Sequence, residues 1–154
     1  MPTSGTRQMT LSEYLLAEGL LTVEQIQILW GMVDKTGVGF GAAAVRAGFL
    51  DEAQVAQAMA EVCHVPYLDL AEYLIDPVIA RLIPQHIARR HRLISINRVV
   101  NRLTVAMADP VNIIAIDDIQ LMTGLQVKVV VAPDSEIMAA IEKAYVEPDP
   151  DLFL

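Results

Sequence analysis

Short apolar stripes at helical spacing, punctuated by glycines, run through the first sixty residues, and the arrangement occurs twice. Leu11, Leu15 and Leu16 recur at i, i+4 and i+5, which predicts one helix with a buried face. Gly19 stops it, because glycine accepts the left-handed backbone that a helix C-terminus needs. Thr22, with Gln25 three residues on, is a capping box that opens the next helix. Its expected inward face is Ile26, Leu29, Trp30 and Val33. The string LSEYLLAEGLLTVEQI from Leu11 aligns with FGAAAVRAGFLDEAQV from Phe40, 29 positions further on. Gly19 then falls on Gly48, Leu21 on Leu50, Gln25 on Gln54 and Val33 on Val62. Asp51 and Gln54 restart the pattern, with Val55, Ala58, Met59 and Val62 as the second buried face. A repeat of this length predicts a duplicated two-helix unit, neither copy able to cover its stripe alone.

Pro66 closes that region, and the periodicity changes. PYLDLAEYLIDPVIA reads as an extended link followed by helical turns near Asp76–Leu82 and Pro84–Arg90. Leu93–Arg98 and Leu103–Ala108 are β-rich runs joined by a turn containing Asn101, a hairpin signal. Asn112–Met122 predicts a helix with Ile113, Ile116, Ile119 and Leu121 towards the sheet, stopped by Gly124. The valine run Val127–Val131 predicts a strand buried on both faces. Asp134 or Pro133 opens a last helix through Tyr145, with Ile137, Ala140 and Ile141 inward. The expected fold is therefore α+β: an N-terminal four-helix tandem-repeat subdomain followed by a small three-stranded sheet packed with helices. The divisions are a tail at 1–9, the repeats at 10–65, an α/β subdomain at 66–146 and an acidic tail or linker at 147–154.

Composition narrows the roles. Of 154 residues, 54% are hydrophobic but only 5% aromatic, so the core is aliphatic and disorder is excluded. No apolar run approaches the roughly 18 residues of a membrane span, and MPTSGTRQMT lacks a signal-peptide core. These features predict a cytoplasmic chain with no direct membrane insertion. The net charge of −8 argues against general nucleic-acid binding. Arginines 81, 89, 90, 92, 98 and 102 nevertheless make residues 71–110 basic, a region that either meets an anionic partner or pairs with nearby carboxylates.

Catalytic chemistry is absent. There is no G-x-x-x-x-G-K-[ST] phosphate loop, and DKTGVGFG puts its lysine ahead of the glycines. His86 and His91 miss the i, i+4 spacing of a helical metal pair, and Cys63, alone, reads as a small buried hydrophobe. Asp117 and Asp118 point about 100° apart on a helix and cannot converge. No enzyme activity, cofactor or metal is expected.

Together these strings resemble the N-terminal domain of type II secretion and type IV pilus assembly ATPases, including the version that binds cyclic di-GMP. In that version each copy of a motif reads R-L-G-x-x-[LVI]-[LVI]-x-x-G-[LVI]-[LVI]-x4-L-x3-L-x2-Q, and two copies flank a short spacer. Here the copies are Thr10–Val33 and Gly39–Val62, with Asp34–Val38 between them. The likeness continues through CHVPYLDL, LIPQHIARRHRLISI, NRLTVAMADP and TGLQVKVVVAPDSEIMAAI. The resemblance assigns ligand contacts to Thr10, Leu11, Ser12, Leu15, Leu16, Gly19, Leu20 and Val33 of the first copy. In the second it assigns them to Gly39, Phe40, Gly41, Val45, Gly48 and Val62.

The departures fall on the polar positions. Thr10 and Gly39 replace the opening arginines, Val33 and Val62 the closing glutamines, and Ser12 the first motif glycine. Guanidinium groups supply planar stacking and forked donors for guanine and phosphate, which threonine and glycine lack. The resemblance therefore implies first a non-catalytic interaction module, docking an ATPase to cytoplasmic proteins of a secretion or pilus inner-membrane platform. Arg89, Arg90 and Arg92 are its candidate partner contacts. A cyclic di-GMP sensor with an altered motif is the alternative, and a stand-alone adaptor is a third expectation because no ATPase core is present.

Overall fold

The computed structural model describes residues 9–146. Four helices form the first half: α1 (Leu11–Ala17), α2 (Val23–Thr36), α3 (Phe40–Arg46) and α4 (Glu52–Cys63). The duplication is visible bond by bond. After α1, the amide of Gly19 donates to Leu16 O at 3.1 Å and that of Leu20 to Leu15 O at 2.9 Å. After α3, Gly48 donates to Val45 O at 3.0 Å and Phe49 to Ala44 O at 3.0 Å. Both glycines are left-handed, with φ of 74° and 78°, as the stop signals require. Thr22 and Asp51 both close complete capping boxes with Gln25 and Gln54. The copies are interleaved: α1 packs on α4 and α2 on α3. Leu15, Leu21, Leu29, Ala43, Ala44, Leu50 and Ala58 form the resulting core.

Two apolar residues expected inside this half are largely exposed, Trp30 by 45% and Leu16 by 44%; Leu20, a motif position, is 39% exposed. Leu15 and Leu29 are fully buried, and the residue after each is turned about 100° round the helix, away from the buried face. Trp30 rests instead against Phe40, with ring centroids 4.8 Å apart and tilted by 46°.

The second half begins with a single 3-10 turn at Leu70–Glu72 that the pattern did not announce, then α5 (Pro77–Ala80) and α6 (Gln85–His91). Strands β1 (Leu93–Val99) and β2 (Arg102–Met107) form the expected antiparallel hairpin. Its turn is Val100–Asn101, but the left-handed residue is Val100, φ 57°, rather than the asparagine. Helix α7 (Ile113–Thr123) crosses over to β3 (Gln126–Val131), which pairs with β2 in parallel, giving the order β1-β2-β3. Helix α8 (Asp134–Ala144) completes the α+β arrangement. Leu93, Ile94, Leu103, Val105, Met107, Ile119, Ile137 and Ile141 are fully buried at its centre. Ser95, buried among them, donates its hydroxyl to Ile79 O at 2.6 Å.

Two expectations fail here. Strand β3 is an edge strand, not one buried on both faces: only Val130 and Val131 are buried, and Gln126 and Lys128 are exposed. With only three strands in the sheet, its outer side meets a single bridge, Tyr67 to Val131. On α7 the buried pair is Ala115 and Ile119, whereas Ile113 is 65% and Leu121 85% exposed. Those two residues lie on the side of the helix away from Ile119.

The halves meet through Ala56 and Ala60 of α4 against Val131 of β3. Glu52 of α4 reaches the first turn of α8, where its Oε1 accepts from the Ser135 amide at 3.0 Å. A carboxylate at a helix N-terminus is favoured by the helix dipole.

Candidate functional site

The motif positions divide by what their side chains do. Thr10 is the N-cap of α1: its hydroxyl accepts from the Glu13 amide at 3.2 Å, and its own amide donates to Glu13 Oε1 at 2.9 Å. The side chain is thus occupied in holding the helix start. Gly39 is the N-cap of α3 and has no side chain to offer. Ser12 is half-buried, with its hydroxyl 3.3 Å from that of Thr10. Leu15 is fully buried; Leu11, Val33, Phe40, Val45 and Val62 are half-buried. Gly41 has a packing reason of its own. A Cβ there would lie 2.6 Å from Val55 Cγ1 of α4, so this glycine sets how closely the two helices approach. Of the assigned residues, the structure brings Leu11, Leu15, Val33 and Phe40 into one apolar cluster of the helical half. At the four positions of the motif's arginines and glutamines it offers one threonine already in use, one glycine and two valines.

A groove of about 470 Å³ lies beside this cluster, where the helical half meets the link to the sheet. It is lined by Tyr14 and Leu20, by Gln57 and Glu61 of α4, and by Val65, Pro66 and Tyr67 of the link. The link is held in place by the sheet, with Leu68 donating to Val131 O and Val131 to Pro66 O, both at 2.8 Å. Partial burial pushes the Tyr14 phenol above its ordinary pKa, with Glu18 and Glu61 adding to the rise. Burial does the same for Tyr67, reinforced by Glu136 and Asp69 and opposed by a hydrogen bond with Gln57. Negative charge surrounds the groove, a poor setting for a diphosphate ligand.

Helix α6 carries the arginines singled out for a partner. Arg89 approaches Glu142 of α8 at 3.4 Å, and Arg92, left-handed at the helix end, meets Asp134 at 2.7 Å. His91 lies 3.6 Å from Asp118. Arg90 is exposed, and no acidic side chain among the described residues pairs with it. The basic region thus pairs partly with carboxylates of α8. Arg81 instead caps that helix, donating from Nε to Ala144 O at 2.9 Å.

Similarity to known proteins decides the family. Residues 63–151 match the MshEN domain, more than half of the chain. The chain belongs to the MshEN domain family. The type IV pilus assembly ATPase PilB of Myxococcus xanthus is 34% identical over 142 residues, 92% of this chain and 25% of that protein. PilB of Thermus thermophilus is 36% identical over 106 residues, 66% of the chain and 12% of the relative. The chain thus spans a quarter or less of these relatives. Among solved structures, MshE with cyclic di-GMP aligns with a TM-score of 0.80 at 26% identity, covering 89% of this chain and 99% of that one. The N-terminal domain of XpsE aligns with a TM-score of 0.71, also at 26% identity, covering 88% and 94%. The MshEN domain here therefore has the α+β fold of those N-terminal domains.

The groove of this MshEN domain was not legible in advance. Tyr14 and Tyr67 are 53 positions apart, in the separate strings LSEYLLAEGLLTVEQI and CHVPYLDL, and nothing in either string announces that the two rings meet. Neighbouring charge does not mark them, since all four tyrosines, Tyr14, Tyr67, Tyr73 and Tyr145, lie within two positions of an Asp or Glu in the sequence.

Proposed function

We propose that the chain is a non-catalytic regulatory and docking domain of a type IV pilus assembly or type II secretion ATPase. In this reading it works in the cytoplasm, against proteins of the inner-membrane platform. One observation carries the reading: the helical frame of the family is intact while its polar ligand positions are capped, absent or aliphatic. A frame kept without its recognition groups serves protein contact better than nucleotide sensing, since buried hydrogen-bonding groups confer ligand discrimination. No helix among the described residues is long and apolar enough to cross a membrane, so a platform contact would be through protein. Exposed Arg90, flanked by the ion-paired Arg89 and Arg92, is the first partner contact in this account. Surface ion pairs are worth little, so those two arginines remain available for exchange with partner carboxylates.

The second reading is a cyclic di-GMP sensor with an altered motif. The likeness to MshE, solved with that nucleotide, favours it. Binding assays separate the two. The chain is titrated with purified cytoplasmic regions of the platform proteins, with and without Arg90→Glu. Docking predicts saturable binding that the substitution weakens about tenfold or more, as expected for charge reversal at an interface. Absence of binding to every platform region, alongside tight binding of cyclic di-GMP, would replace the first reading with the second.

A further inference from the structure

The groove between α1, α4 and the link has three features that together select a ligand. Two of its lining residues are aromatic, Tyr14 and Tyr67. Leu20, Val65 and Pro66 give it an apolar lining suited to an alkyl stem. No basic residue among the described residues lines it; Glu61 does, and Glu18, Asp69 and Glu136 lie close enough to act on the two phenols. A cation is attracted by the faces of aromatic rings as well as by carboxylates, and a long basic side chain buries its stem while its head finds counter-charge. Anions are disfavoured by the same charges.

We propose that this groove receives an arginine or lysine side chain from a basic segment of a partner protein, with Glu61 as its counter-ion and Tyr14 and Tyr67 as ring faces beside it. The proposal rests on the docking reading and gives it a specific site and partner chemistry, separate from the arginines of α6. Its volume, about 470 Å³, suits one side chain and its neighbours rather than a whole domain face. Gln57 lines the groove together with Tyr67. The site also combines both halves of the fold, so an occupant would bridge α4 and the segment that pairs with β3.

The probe is a short capped peptide with one arginine between leucines, compared with the same peptide carrying citrulline, its uncharged isostere. Two-dimensional NMR of the whole chain reads the outcome. The proposal predicts shifts at Tyr14, Gln57, Glu61 and Tyr67 with the arginine peptide, and binding about tenfold weaker with citrulline. Glu61→Gln, an exposed and isosteric change on α4, should weaken the arginine peptide about tenfold while leaving the rest of the spectrum in place. Equal affinity for both peptides, or unchanged binding by Glu61→Gln, would overturn it. A chain that fails to bind the peptide yet still binds a platform protein would overturn the groove and keep docking. Peptide binding without platform binding would keep the groove and remove docking.

Discussion

Replacing Gly41 with alanine tests whether this motif position is governed by helix packing. Position 41 lies in the first turn of α3, where the Cβ of an alanine would come 2.6 Å from Val55 Cγ1. Valine is stiff at χ1, so the methyl cannot swing away without moving α3 from α4. Overpacking of this kind costs about 1–3 kcal/mol. Against it stands the gain from removing a helical glycine, up to about 1 kcal/mol. The net expectation is a loss of about 1 kcal/mol in urea unfolding at 25 °C. Val55→Ala removes the obstructing methyl, and in that background Gly41→Ala should become stabilising by roughly 0.5–1 kcal/mol. The double-mutant cycle should therefore show a coupling of about 2 kcal/mol. A coupling near zero, or a Gly41→Ala protein more stable than the parent, would refute the packing account of this glycine.

Three further outcomes follow from the described contacts. Thr22→Ala and Asp51→Ala each remove one half of a capping box and should each cost about 1 kcal/mol in the same unfolding assay. Val100→Asn should stabilise by roughly 0.5–1 kcal/mol, because asparagine accepts the φ of 57° at the hairpin tip better than a β-branched residue. Tyr145 shares its hydroxyl proton between Ala80 O and Ile83 O, and burial pushes its pKa up to about 12. Because the folded value lies above the ordinary 10.0, the neutral phenol contributes stability that is complete below pH 10 and is lost as pH rises through about 12. Tyr145→Phe should cost about 1–2 kcal/mol at neutral pH, and its stability should fall less steeply above pH 10 than the parent's.

The repeat, its caps and the hairpin were legible because each depends on neighbours in sequence. Thr22 and Gln25 meet within one turn, and Gly48 needs only its own backbone to end α3. What failed depends on partners from elsewhere. Leu15 and Leu16, like Leu29 and Trp30, are adjacent apolar residues, and periodicity alone does not say which faces the core. The interleaving of α1 with α4 and α2 with α3 makes that choice. The valines of β3 announce a strand but not its place in the sheet, and a three-stranded sheet leaves it at an edge. On α7, Ile113 and Leu121 satisfy an apolar count while the helix turns Ala115 and Ile119 inward. The groove was hidden for the same reason: Tyr14 and Tyr67 become neighbours only once α1 lies on α4 and Tyr67 is bridged to Val131. The motif departures at Thr10, Val33, Gly39 and Val62 could be read directly, because they concern which groups are present rather than where they lie.

The most direct test of the central claim is a calorimetric titration of the chain with cyclic di-GMP at moderate salt. With Thr10 engaged at a helix cap, Gly39 bare and valines at 33 and 62, the account predicts no saturable heat and a Kd weaker than about 100 μM. Saturable binding at about 1 μM or tighter would contradict it, and would make this domain a nucleotide sensor that recognises its ligand through a different set of polar groups.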